Sequence, residues 1–234
     1  YHITQVSQFE GGDLQLGFRW RPGVRVTVVG ETGLSYDREH LPETNLVLKH
    51  AGEIFGKEDR IMLVASRVRA LWNPGALLQT TWEAIAQRLT LTAGMRYDYH
   101  NIYGNQLSGR FGLVGSPQKW LILKFLYGSA FKAPSPQLLY GVPIRAGDVL
   151  GNPDLRPQFV HTVEGQIFYK PTTFFSLTSN LAYNYLKDKA EFSLQGLNRV
   201  ARNVAATATL VLEETIEAHY KNWFGGYFKY EQVW

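Results

Sequence analysis

The chain of 234 residues contains no cysteine. That excludes disulfide frameworks and thiolate metal sites, and it suits an oxidising compartment in which a free thiol is a liability. No apolar run approaches the roughly 18 residues a membrane-spanning helix needs. The six histidines show neither HxxxH nor HExxH spacing, so no metal site is expected. No phosphate-cradling glycine loop and no Gly-x-Ser-x-Gly elbow is present, and neither a catalytic residue nor a cofactor is expected. The formal charge is +4, but the basic residues are scattered singly, which gives nucleic acid no patch to bind. A secretory leader is also missing: the chain opens inside a strand-like pattern, "YHITQVSQFE", and its natural start is expected upstream.

What the chain has instead is alternation. In "RLTLTAGMRYDYH" (88–100), Leu89, Leu91, Ala93, Met95, Tyr97 and Tyr99 share one face of an extended strand, against Thr90, Thr92, Gly94, Arg96, Asp98 and His100. In "TFFSLTSNLAYNYL", Phe175, Leu177, Leu181, Tyr183 and Tyr185 oppose Ser176, Thr178, Asn180 and Asn184. "DLQLGFRW" and "VRVTVVGETGLSY" repeat the pattern near the start. A water-soluble β-sandwich also alternates. These runs, however, last about 10 to 15 residues, against about 5 or 6 for an ordinary strand and about 9 to 11 for a tilted membrane-crossing one. Length therefore favours an antiparallel transmembrane β-barrel of the outer-membrane type, and the mean hydropathy of −0.19 is no obstacle to that fold.

Turn residues mark short connections at "RPG" (21–23), "GKED" (56–59), "NPG" (73–75), "SPQK" (116–119) and "KPTT" (170–173). Longer polar connections are expected near 37–43, 101–106, 132–158 and 188–200. This segmentation predicts roughly 13 long strands. Placing the apolar stripe against lipid keeps Arg96 and Asp98 off that face, and it gathers Tyr97, Tyr99, Tyr127, Tyr183 and Tyr185 near the outer ends, where an aromatic girdle belongs. Trp82 falls near an inner end, whereas Trp120 and Trp223 have the parity of the interior.

Four stretches, "LTLTAGMRYDY", "GRFGLVGSP", "LILKFLYGSAFKAPS" and "GNPDLRPQFVHTVEGQIFY", resemble in order and spacing the barrels of TonB-dependent outer-membrane receptors. The elements that match are Gly94, Arg96, Tyr97 and Asp98; Phe131, Lys132, Ala133 and Pro134; and Gly151, Asn152, Pro153, Asp154, Leu155, Arg156 and Pro157, followed by Glu164. Asn203 also fits, whereas Gln158, Thr209 and Val211 depart from the usual pattern. Such plugged barrels have about 22 strands. The resemblance implies that residues 1–234 are rather more than half of one larger barrel, without its plug domain.

It further implies an outer-membrane receptor in contact with lipid, which takes up a metal chelate such as a ferric siderophore, or cobalamin, haem or a glycan. Energy would come from the inner-membrane TonB complex acting on the plug. The alternative is a passive porin or a structural barrel; an enzyme is not expected. Residues 132–158 are expected to be a long extracellular loop, with Arg145, Asp148 and Arg156 as candidate ligand contacts. Gly151, Asn152, Pro153, Asp154, Leu155 and Pro157 are expected to turn the chain from loop to strand. Arg96, Asp98, Arg110, Lys124 and Glu164 are expected to line the lumen, the two carboxylates pairing with the neighbouring cations.

Overall fold

The computed structural model describes residues 2–49, 58–64, 68–143, 145–204, 206–220 and 223–234, with side chains described over 10–38 and, within those stretches, from 70 onward. The elements in chain order are β1 (His2–Gly23), β2 (Val26–Lys49), β3 (Glu58–Val64), β4 (Val68–Ile85), β5 (Leu89–His100), β6 (Gly104–Gln118), β7 (Leu121–Lys132), α1 (Pro136–Tyr140), β8 (Val149–Leu150), β9 (Gln158–Tyr169), β10 (Phe175–Lys187), β11 (Ala190–Gln195), β12 (Asn198–Asn203), β13 (Thr207–Tyr220) and β14 (Phe224–Val233). Ten long strands form one antiparallel meander in the order β1-β2-β4-β5-β6-β7-β9-β10-β13-β14, and β3 pairs with β2 beside it. A separate sheet of three short strands, β11-β12-β8, stands between β7 and β13 in the chain.

Cross-strand pairing fixes which residues share a face. One row runs Arg19, Val29, Gln79, Gly94, Arg110, Gly128, Thr162, Asn184 and Thr209 across nine strands. Because side chains alternate with period two, the neighbouring rows point the other way. Arg96, Asp98, Lys124, Glu164 and Asn180 fall on the face of Arg110; Leu89, Leu91, Met95, Leu177 and Leu181 fall opposite, as the alternation predicts. The apolar face is bare: Leu16 is 63% exposed and Met95 58%. Polar Asp98, by contrast, is 2% exposed. A contiguous apolar surface of this extent needs a non-aqueous cover, and the sandwich alternative fails because no second large sheet lies against it among the described residues.

Between the aromatic rows near its two ends, this apolar face carries no Lys or Arg among the described residues. The outer row holds Tyr36, Trp72, Tyr97, Tyr99, Tyr127, Tyr183 and Tyr185, with Trp72 and Tyr99 ring centroids 5.1 Å apart. The inner row holds Trp20, Trp82 and Tyr169. Trp120 joins it, against the parity prediction. It lies in the β6–β7 turn, outside the ladder whose alternation the prediction used, and its indole meets Tyr169 edge to face at 5.5 Å. Trp223 lies in the β13–β14 turn and is exposed.

Several sequence expectations change. Among the described residues the long strands number ten rather than about 13, because four strands are short pieces in or beside the connections. "NPG" does not turn: Asn73, Pro74 and Gly75 lie inside β4, paired with Ser35, Leu34 and Gly33. Pro74 lacks a donor, and the ladder to β5 begins only at Gly75. Past that point Asn101 takes the place of a strand partner. Its Nδ2 donates to Ala70 O (2.9 Å), its Oδ1 accepts from Trp72 N (3.2 Å) and its N–H donates to Trp72 O (3.3 Å). Residues 37–43 continue β2, and the connection at 101–106 shrinks to a turn at 101–103 closed by Gly104 at φ +73°. In "GKED", residues 56 and 57 lie outside the described residues and Glu58 opens β3.

Short turns after β1, β4, β6, β9 and β13 collect at one end of the meander, and the connections holding β3, α1, β8, β11 and β12 collect at the other. The long connections thus gather at one end, with the β5–β6 turn at 101–103 the one short connection there among the described residues, the pattern of an outer-membrane barrel with its long loops on one side.

Candidate functional site

The largest organised structure outside the sheet is a cap built from residues 133–157 and the β11–β12 hairpin. Pro136 starts α1, where a missing N–H costs nothing. Leu139 from α1, Leu155 and Ala201 then form a small buried core, with Ile102, Leu138, Tyr140 and Ala190 against it. This is where the chain keeps a water-excluding core of ordinary kind. The segment after α1 adds β8 to the hairpin as a parallel strand, pairing Val149 with Arg199 and Leu150 with Val200.

The GNPDLRP element is the fastener between the two parts. Asn152 donates from Nδ2 to Ala201 O (2.9 Å) and from its N–H to Leu138 O (2.7 Å), while its Oδ1 accepts from Asp154 N (3.1 Å), a local turn bond typical of Asn. Asn203 answers from the hairpin: its Oδ1 accepts from Arg156 N (2.8 Å), and its Nδ2 donates to Arg156 O (3.0 Å) and Asp188 O (2.7 Å). Arg156 completes the clasp with an ion pair to Asp188, Nη2 to Oδ1 at 2.7 Å. Asp188 sits at φ +55°, a left-handed conformation that Asp adopts more readily than most residues. Sequence reasoning singled out Asn203 as a match and missed Asp188, whose signal was a turn-favouring residue directly after a long strand.

Of the predicted ligand contacts, Arg145 is exposed, and its N–H donates to Asp148 Oδ2 (2.8 Å) to close a tight turn at the cap surface. Asp148 O accepts from Arg199 N (2.9 Å), and Arg199 Nε donates to Gly147 O (2.7 Å) with its guanidinium 5.6 Å from the centre of the Phe192 ring. Arg145 and Arg199 thus sit on one side of the cap, and Arg156 is engaged by Asp188 at its base. Ile144 lies outside the described residues.

On the polar face of the sheet, Arg96 grips Asp98 with two charge-assisted bonds of 2.8 Å. Glu164 Oε1 accepts from Asn180 at 3.0 Å when that amide is turned to donate, which also satisfies Gly165 O at 3.3 Å. A concavity of about 480 Å³ on this face is lined by Gln79, Thr92, Arg110, Thr162 and Glu164. Gly112 and Gly128 also line it and recess its wall, since neither contributes a side chain. At the outer end Tyr103 stacks on His100 with centroids 3.9 Å apart, and burial, helped by the charge of Asp98, raises its phenol above the usual range. No cluster among the described residues has the make-up to hold a metal ion.

Residues 3–211 match the family described as TonB dependent receptor-like, beta-barrel. An iron-regulated outer membrane virulence protein of Vibrio cholerae serotype O1 is 28% identical over 116 residues, which are 48% of this chain and 18% of that protein. Among solved structures, the copper transporter OprC superposes with a TM-score of 0.72 at 14% identity, over 98% of this chain and 39% of that one. A mutant ferric enterobactin receptor PfeA of Pseudomonas aeruginosa, in complex with enterobactin, gives 0.66 at 18% identity over 99% and 36%. The siderophore receptor PirA of Acinetobacter baumannii gives 0.62 at 14% identity over 94% and 35%. The chain therefore spans between 18% and 39% of the length of these relatives.

Proposed function

The chain belongs to the TonB-dependent receptor β-barrel family, and from that membership we propose that it is part of a receptor that imports a metal chelate, with ferric siderophores the leading class. As a member it is an outer-membrane protein: the apolar face meets lipid and the face of Arg96, Arg110 and Glu164 lines the lumen. The observation that carries the uptake reading is the cap. A passive pore has no need of a folded, clasped structure at its outer mouth, whereas a receptor needs a shaped surface there. The cap sits at the end that gathers the long connections, and it presents Arg145 and Arg199 beside exposed Val142 and Phe192. That mixture suits a bulky ligand with anionic groups.

In this reading, residues 132–158 project outside the cell, capture takes place on the cap, and energy reaches the lumen from the inner-membrane TonB complex through a plug domain. The test is uptake of radioiron chelates by cells carrying the full-length receptor. Accumulation should stop when a protonophore collapses the inner-membrane gradient, while binding at the cell surface persists. Accumulation that continues unchanged would identify a passive porin instead.

A further inference from the structure

The cap reaches beyond the strands that carry it. It grows from the outer ends of β7, β9, β10 and β13, yet α1 lies against β2, and Ile102 of the β5–β6 turn packs against the buried Leu139, Leu155 and Ala201. In the sheet the order is β2-β4-β5-β6-β7, so the cap leans across the polar side of the wall between β7 and β2. Ile102 is a foothold on that wall, and its N–H donates to Nδ1 of His100 at 3.1 Å. His100 ends β5 at the outer side and is 8% exposed. Tyr103 covers its ring with the two planes 7° apart, and Gln106 Nε2 donates to Tyr103 O at 3.0 Å to brace the turn.

An imidazole accepts at Nδ1 only while that nitrogen carries no proton. Protonation turns the acceptor into a donor that confronts the Ile102 N–H, and it sets a charge in a site with little access to water. Burial opposes the charged ring, and Asp37 on β2 favours it only in part. The other titratable groups around it give little relief. Asp98 on β5 is already held by both bonds from Arg96, Tyr103 stays a neutral phenol, and the cap adds the phenol of Tyr140 beside Ile102. The bond is therefore intact above about pH 6.5, the ordinary histidine value, and is lost as pH falls below it. We propose that His100 is an acid-sensitive latch: its protonation frees the β5–β6 turn, Ile102 leaves the cap core, and the cap lifts from the mouth of the barrel. This inference depends on where the cap sits and not on what the receptor imports.

The test measures the distance between two spin labels on the full-length receptor, without ligand, between about pH 8 and about pH 5. Val142→Cys labels an exposed site on the cap, and Gly12→Cys labels β1, where an added side chain meets nothing within 4 Å. No native cysteine in these 234 residues competes for the label. A single short separation should hold at the upper end, and a longer one should replace it with a midpoint below about pH 6.5. His100→Asn keeps an acceptor that does not titrate, since Asn accepts from the N–H two residues on, as Asn152 does from Asp154. That variant should stay short throughout. His100→Phe keeps a ring under Tyr103 but has no acceptor, and it should be long throughout. Heat-modifiable mobility checks that each variant still folds, and the wild-type titration stands without either of them. A wild-type separation that ignores pH, an acid shift that survives His100→Asn, or a His100→Phe receptor that stays short would each overturn the proposal.

Discussion

A side chain in the long strands meets either hydrocarbon or the polar interior, and its position in the alternation decides which. Met95 and Thr92 show the contrast. Met95 points to lipid, whereas Thr92 shares the opposite face with Thr81 and Gly112, its Oγ1 3.3 Å from that of Thr81. An arginine near the bilayer midplane costs about 2 to 4 kcal/mol, so Met95→Arg should sharply reduce the folded, heat-modifiable receptor recovered from membranes, and Thr92→Arg should not. Equal recovery of both variants would contradict the assigned faces. On the cap, Arg145 lies outside the membrane zone. If it contacts an anionic group of the ligand, a charge-assisted bond of roughly 1.5 to 3 kcal/mol is at stake. Arg145→Ala should then weaken ferric-chelate binding by about 10- to 150-fold with assembly unchanged, and an unchanged affinity would leave this arginine a solvated surface charge. Single residues were legible where period two held. They failed at Pro74, which lies inside β4 where a turn was expected, and at Trp120, which lies in the β6–β7 turn where alternation no longer sets direction.

At the scale of elements, the cap is one body made of two separate stretches of chain. Asn203 holds Arg156 N, Arg156 O and Asp188 O at once, and Asn152 holds Ala201 O. Asn203→Ala leaves three groups to find other partners, a loss of about 1 to 3 kcal/mol for each one that stays buried and unpaired. Backbone amide exchange in the full-length receptor should then speed up in residues 133–157 as well as in the hairpin. Faster exchange confined to 190–203 would show that the two parts open independently. The sequence announced the turn-forming residues of GNPDLRP, and Asn203 as a separate match. It could not announce their meeting, because hydrogen bonds across 47 residues leave no periodic trace. The short strands β8, β11 and β12 were hidden for a related reason: each is too brief to show alternation.

At the largest scale, the described residues form an open meander in which β1 and β14 do not pair with each other. Ten long strands are a little under half of the roughly 22 in a plugged transporter barrel, where the segmentation of the sequence implied rather more than half. Unpaired strand edges cannot face hydrocarbon. The 234 residues expressed alone should therefore fail to form a protease-resistant barrel in lipid vesicles, and recovery of a sealed, protected species would show that these strands can close on themselves. The class of fold was readable because alternation repeats in every long strand; its size was not, because β1 and β2 run on for 22 and 24 residues, beyond any membrane crossing. The neighbour-to-neighbour order of the meander also bears on how such a protein changes over generations. Each long strand pairs only with those before and after it in the chain, so a hairpin can be duplicated or deleted without severing any other pairing. Removing a single strand reverses the direction of all that follow and sends the cap to the wrong side of the membrane. Lineages that keep this topology should therefore gain and lose strands in twos.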